Sequence, residues 1–163
     1  SQFWAVVIGV HHYYSHQMNL EGCVPDAHLM REYLVSDLSV PRSHVKFLTE
    51  FVHEYCVETD GLPTRVNILD ALYSHFRDNP EIQYGDNMIF YFSGHGSSYR
   101  ASECFTSEAG SVGSIEAICP ADRGTSTHGQ HGVLDISDRE LNTIFSEISS
   151  LKGPNITVIL DCC

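Results

Sequence analysis

Residues 87–97, Asn-Met-Ile-Phe-Tyr-Phe-Ser-Gly-His-Gly-Ser, constrain the fold more than any other stretch of the chain. Met88 to Ser93 runs through six residues without a charge, three of them aromatic. That suits a strand covered on both faces, as in a parallel sheet, better than a half-solvated one. Gly94-His95-Gly96 cannot easily continue such a strand, so the stretch is expected to carry one histidine to the end of a buried strand. A second stretch, Ile156 to Cys163, has the same grammar and ends in Asp161, Cys162 and Cys163.

The rest of the chain alternates around these two. Phe3 to Val10 reads as a first buried strand in the middle of a sheet, followed by a polar loop through His11, His12 and His16. Pro25-Asp26-Ala27 opens a helix with Ala27, Met30, Tyr33, Leu34 and Leu38 at three-four spacing, the proline falling in the first turn where its missing N–H does no harm. His44 to Thr49 reads as a short strand. Thr64 offers a cap for a helix through Val66, Leu69, Leu72, Tyr73 and Phe76, ended by Asn79-Pro80. Ser137 to Glu140 starts a last helix through Leu141, Ile144, Phe145 and Ile148, stopped by Gly153-Pro154. Strand and helix in alternation predict an α/β fold, a three-layer α/β/α sandwich on a mostly parallel sheet. The polar segment 97–132, interrupted by Ile115 to Pro120, is expected to be a lid, a substrate-facing loop or a disordered insertion.

At 163 residues the chain reads as a single domain, long enough to bury about two thirds of its unfolded surface. The net charge of −12 argues against a nucleic-acid or anionic-membrane partner and is compatible with a cationic one. Six scattered cysteines, with a vicinal pair and no CxxC, read as reduced thiols and predict a cytoplasmic setting. The histidines show no zinc spacing with them. No segment has the length of a membrane span or the make-up of a signal peptide, and both ends fall inside an element, as expected of a piece cut from a longer protein.

In an open parallel sheet ligands bind outside the carboxyl ends of the strands, and right-handed crossovers put those ends on one edge. His95 and Cys163 would both arrive there. On neighbouring strands, roughly 5 Å apart, imidazole and thiol come within reach of one carbonyl. The thiolate is the nucleophile; an imidazole favours it and can protonate a leaving amine. Gly94 and Gly96 leave room for a peptide, and the N–H groups of Gly96 and Cys163 are candidates for an oxyanion hole. Taken alone, Gly-His-Gly after a strand is more often a turn with an incidental histidine.

Ser93-Gly94-His95-Gly96, Asp161-Cys162-Cys163 and Leu20 to Ala27, which reads Leu-Glu-Gly-Cys-Val-Pro-Asp-Ala, together resemble the metacaspase branch of the caspase-like cysteine peptidases, over the whole chain. The resemblance implies a cysteine endopeptidase with Cys163 as nucleophile, His95 as acid/base, and Cys162 in a position often held by serine. It implies a pocket for arginine or lysine built from Cys23, Asp26, Ser93 and Asp161, where a carboxylate pairs with a guanidinium and repels an acidic side chain. No cofactor is implied for the chemistry itself. Calcium activation is implied through Asp122 and Asp138, with Arg139 standing where a further acidic ligand is common. The protein partners implied are peptide substrates cut after Arg or Lys, and a small-subunit segment, absent here, that adds strands to an otherwise unpaired sheet edge.

The residues taken singly also have plainer readings. Asp26 can serve the N-terminus of its helix, Asp122 and Asp138 can be a turn residue and a first-turn charge, and Cys162 can be a packing thiol facing away from the site. Two other functions compete: a non-catalytic caspase-like interaction or signalling module, and a flavodoxin-like binder. The second lacks a phosphate-cradling glycine loop, because Val10 to Tyr14 is bulky.

Overall fold

The computed structural model describes residues 1–14, 19–50, 58–100, 114–125 and 132–162. Four strands, β1 (Phe3–Gly9), β2 (Val45–Thr49), β3 (Asn87–Ser93) and, last in the chain, β7 (Ile156–Asp161), form a parallel sheet in the order β2-β1-β3-β7. The first strand is central, as its uninterrupted burial from Trp4 to Gly9 requires. The register runs without a slip from Phe3↔Asn87 to Gly9↔Ser93 and from Met88↔Ile156 to Ser93↔Asp161.

Helices cover both faces. On one lies α1 (Cys23–Glu32), continued by a wider π turn over Tyr33–Asp37. There Ala27 and Leu34 pack with Ala5, Val7, Val45 and Phe47. On the other lie α2 (Arg65–Asp70), with its π continuation Ala71–Arg77, and α3 (Asp138–Lys152). Ile68, Leu72, Phe76, Leu141, Ile144 and Ile148 pack there with Trp4, Val6, Ile8, Phe90 and Phe92. Each such side chain withdraws about 1.5–3 kcal/mol of apolar surface from water. The caps are those the sequence offers: Thr64 accepts from the Asn67 N–H and Ser137 from the Glu140 N–H. Gly153, at φ 101°, ends α3 in a conformation that favours glycine.

Three apolar positions depart from the expected helix faces. Val66 is 68% exposed, and Tyr33 and Leu38 are 50% and 41% exposed. The buried stripe of α2 is instead Ile68, Ala71, Leu72 and Phe76, and beyond Glu32 the π turn shifts the phase of the residues that follow.

The segment after His95 is more ordered than its polarity suggests. Gly96 opens β4 (Gly96–Arg100), which pairs antiparallel with β5 (Ser114–Ile118), and β5 pairs with the short β6 (Ile136–Ser137). This small sheet is pinned by Asp135, whose side chain is 2% exposed. Arg123 grips it bidentately, Nε to Oδ1 at 2.8 Å and Nη2 to Oδ2 at 2.7 Å, and the Tyr99 hydroxyl donates to it as well. Within 97–132, residues 97–100 and 114–118 are therefore strand, the second coinciding with the apolar interruption at Ile115; positions 101–113 and 126–131 lie outside the described residues. Among the described residues nothing pairs with the outer side of β7, where Val158 and Leu160 are 43% and 48% exposed.

Candidate active site

Gly9 sets the distance between β1 and α1. A Cβ there would sit 2.7 Å from the Cys23 carbonyl oxygen and 2.8 Å from Cβ of Ala27, so only glycine lets the helix start lie on the strand end. That contact carries Cys23 and Asp26, both in the first turn and a half of α1, to the carboxyl edge of the sheet. Asp26 also fits its plainer reading, as an acidic residue near a helix N-terminus.

β3 and β7 deliver the other half. At their last registered pair the Ser93 hydroxyl donates to Oδ2 of Asp161 at 3.3 Å, and the Tyr91 hydroxyl donates to the same oxygen at 3.4 Å. Asp26, Leu29, Met30, Tyr33, Tyr91 and Asp161 line an open cleft of about 410 Å³. Burial pushes the Cys23 thiol up; a hydrogen bond with Ser93 opposes this, and the charges of Asp161 and Asp26 add to it. Burial, followed by the charge of Asp161, pushes the Tyr91 phenol up to about 12. The structure thus brings all four expected pocket residues together, two carboxylates with a hydroxyl and a thiol, and adds Tyr91. The Tyr91 side chain was not legible as a site residue, because it sits in an apolar strand and meets Asp161 only across the sheet.

His95 lies two residues beyond the Ser93–Asp161 pair, just past the end of β3, and is half-buried. Its peptide is held on both sides. The backbone N–H donates to the Tyr13 hydroxyl at 2.7 Å, and the carbonyl accepts from the Cys119 N–H at 3.0 Å. The second bond makes Gly96 and Ile118 a non-hydrogen-bonded pair of the antiparallel ladder, which turns the Gly96 N–H away from β5. Cys162 is half-buried and packs against the α2/α3 side of the core. Cys163, two residues beyond Asp161, lies outside the described residues, as do Cys56, Cys104, His16, His128 and His131. The backbone N–H groups of His11 and His12 both donate to Glu50.

The two expected calcium ligands have protein partners. Oδ1 of Asp122 accepts from the Arg65 N–H at 2.8 Å, at the start of α2, and Oδ1 of Asp138 accepts from the Arg139 N–H at 2.8 Å. Arg65 also grips both oxygens of Glu140. Among the described residues no group of three or more His, Cys, Asp or Glu side chains gathers in a metal-binding arrangement.

The family model described as metacaspase, peptidase C14 domain matches residues 4–163. The chain belongs to the metacaspase family. It is 31% identical to Metacaspase-3 of Arabidopsis thaliana over 162 residues, covering 98% of this chain and 38% of that protein. It is 38% identical to a probable protease of a Desulfuromonadales bacterium over 152 residues, covering 90% and 17%. With Metacaspase-1 of Ajellomyces capsulatus the identity is 28% over 159 residues, covering 98% and 39%. This metacaspase chain thus spans between about a sixth and two fifths of the length of these relatives. A crystal structure of a Geobacter sulfurreducens protein matches all of this chain and 51% of its own, with a TM-score of 0.61 and 17% identity, and so shares the three-layer α/β fold. No described helix is long and apolar enough to cross a membrane.

Proposed function

We propose that this chain is the larger part of a cysteine endopeptidase that cuts peptide bonds after arginine or lysine. The observation that carries this is the Ser93↔Asp161 pair: it sets Asp161 beside Asp26 at one cleft, and in the sequence His95 and Cys163 each follow their member of the pair by two residues. A guanidinium or ammonium entering the cleft would meet carboxylates, whereas an aspartate would meet like charge.

In this reading the Cys163 thiolate attacks the carbonyl carbon of the scissile bond. The N–H groups of Gly96 and Cys163 donate to the resulting oxyanion. The tetrahedral species collapses to a thioester on Cys163 as His95 passes its proton to the departing amine. His95, now neutral, takes a proton from water, and the hydroxide so generated displaces the thiol and releases the carboxylate product. The outer edge of β7, with Val158 and Leu160 exposed, is where a further segment of the full-length protein would add strands and cover the cleft.

The test is covalent labelling of the full-length protein by a peptide ketone ending in arginine, with the modified residue mapped by mass spectrometry. Modification of Cys163 in the native but not the denatured protein, and much slower modification by the aspartate analogue, is the expected result. Equal labelling of native and denatured protein would instead favour a non-catalytic interaction module.

A further inference from the structure

Tyr13 has no part in the mechanism above, yet it touches the histidine twice, through its hydroxyl and through its ring. It lies four residues beyond the end of β1, is 3% exposed, and its own N–H donates to Oδ1 of Asn19. The Leu20 N–H donates to the His11 carbonyl at 3.0 Å. Hydrogen bonds from Tyr13 and Leu20 thus flank the phenol on both sides in sequence.

Its hydroxyl accepts the His95 N–H at 2.7 Å, across 82 positions of sequence. The Tyr13 and His95 rings lie 5.0 Å apart, centre to centre, at 50°. Gly94 shows that the turn is shaped around the same oxygen, for a Cβ there would come within 2.8 Å of the Tyr13 hydroxyl and 2.8 Å of the Phe92 ring. The need for an outside acceptor follows from the topology. β3 ends at Ser93, and the last rung toward β7 is already long, the Gly94 N–H to Asp161 carbonyl distance being 3.4 Å. The N–H of His95 has left the parallel sheet, and an N–H drawn out of the ladder and half away from water finds its partner elsewhere.

We infer that Tyr13 is a positioning residue for His95: its hydroxyl takes the place of a strand carbonyl, fixes the His95 peptide between the two sheets, and with the ring beside the imidazole sets where that imidazole can point. Burial raises the phenol above its ordinary range, so it stays neutral and acts as an acceptor rather than as a proton donor in the reaction. The inference rests on the peptidase reading for its effect on rate, but not for its effect on the His95 backbone.

Tyr13→Phe keeps the ring and removes only the acceptor. Two measurements on the full-length protein separate the possible failures. Amide hydrogen exchange is expected to quicken at His95 by tenfold or more while the amides of Val6 and Phe90 in β1 and β3 keep their protection. Steady-state kinetics are expected to show kcat down by roughly tenfold or more with KM within about twofold, because misplacing a reacting group costs the chemical step and not ground-state binding. Unchanged exchange at His95, protection lost equally throughout the sheet, or quicker exchange with kcat intact would each overturn the inference. If the wild-type protein shows no peptidase turnover, the peptidase reading fails and exchange at His95 alone decides whether Tyr13 positions it.

Discussion

Oδ2 of Asp161 accepts from the Ser93 hydroxyl at 3.3 Å, and the Tyr91 hydroxyl reaches the same atom at 3.4 Å. Among the described residues both donors fall on Oδ2 and none on Oδ1, which in the proposed reading is left to accept from an incoming cation. Asp161→Asn is expected to lower kcat/KM for arginyl and lysyl peptides by roughly 30- to 1000-fold, about 2–4 kcal/mol for leaving a cation poorly paired. Tyr91→Phe, which removes one neutral donor, is expected to cost about 1 kcal/mol, near fivefold, mainly in KM. Kinetics of the full-length variants with peptides differing only in the residue before the cut check both. An Asn variant as active as wild type would remove Asp161 from the pocket.

Gly9→Ala tests the packing that brings Cys23 and Asp26 to the site. The added methyl would lie 2.7 Å from the Cys23 carbonyl and 2.8 Å from Cβ of Ala27, neither of which is a flexible side-chain tip. The expected cost is about 1–3 kcal/mol, seen as a thermal midpoint several degrees lower. Displacement of the helix should also raise KM for arginyl peptides. A variant of unchanged stability would show that α1 can move outward freely.

Arg123→Ala would leave the Asp135 carboxylate buried without its ion-pair partner, held by the Tyr99 hydroxyl and the Cys119 thiol. Removing one member of a buried ion pair typically costs about 3–5 kcal/mol. Removing both charges, as in Arg123→Met with Asp135→Asn, should recover part of the loss. Denaturant unfolding of wild type and these two variants checks this, and a single variant no worse than the double one would mean that the pair is already solvated.

Asp86 governs an acid-sensitive part of the stability. Burial alone would raise its carboxyl, but the N–H groups of Gln2 and Gln83, at 2.7 and 3.0 Å, outweigh that and hold it below its usual range. With the folded value depressed, the unfolded chain binds more protons between the two values, so stability rises with pH there. The contribution is present above the ordinary carboxyl range, about pH 4, and is lost as pH falls through the folded value. Asp86→Asn is expected to lower stability at neutral pH by about 1–2 kcal/mol and to flatten the acid limb of an unfolding-versus-pH curve. An acid limb identical to wild type would contradict it.

The parallel sheet, its three helices and two of their caps were legible in the sequence because they rest on local signals: uncharged apolar runs, three-four spacing, and Thr64 or Ser137 placed three residues before the N–H they accept from. That Cys23, Asp26, Ser93 and Asp161 come together at the carboxyl edge was legible as well, through motifs at strand and helix ends. Strand β4 was not. Gly96-Ser-Ser-Tyr-Arg has neither alternation nor an apolar run, and its partner β5 follows without a tight-turn signature between them. Tyr13 and Tyr91 escaped for a different reason. Each acts through a contact 82 or 70 positions away, which no local pattern encodes.

The most direct test of the account is hydrolysis by the full-length protein of three fluorogenic peptides ending in arginine, lysine or aspartate, with wild type set against Cys163→Ala and His95→Ala. Turnover of the arginyl and lysyl peptides that falls by roughly a thousandfold or more in either variant, with little turnover of the aspartyl peptide, is the predicted result. Cleavage after aspartate alone, or arginyl cleavage that persists without the Cys163 thiol, would contradict it.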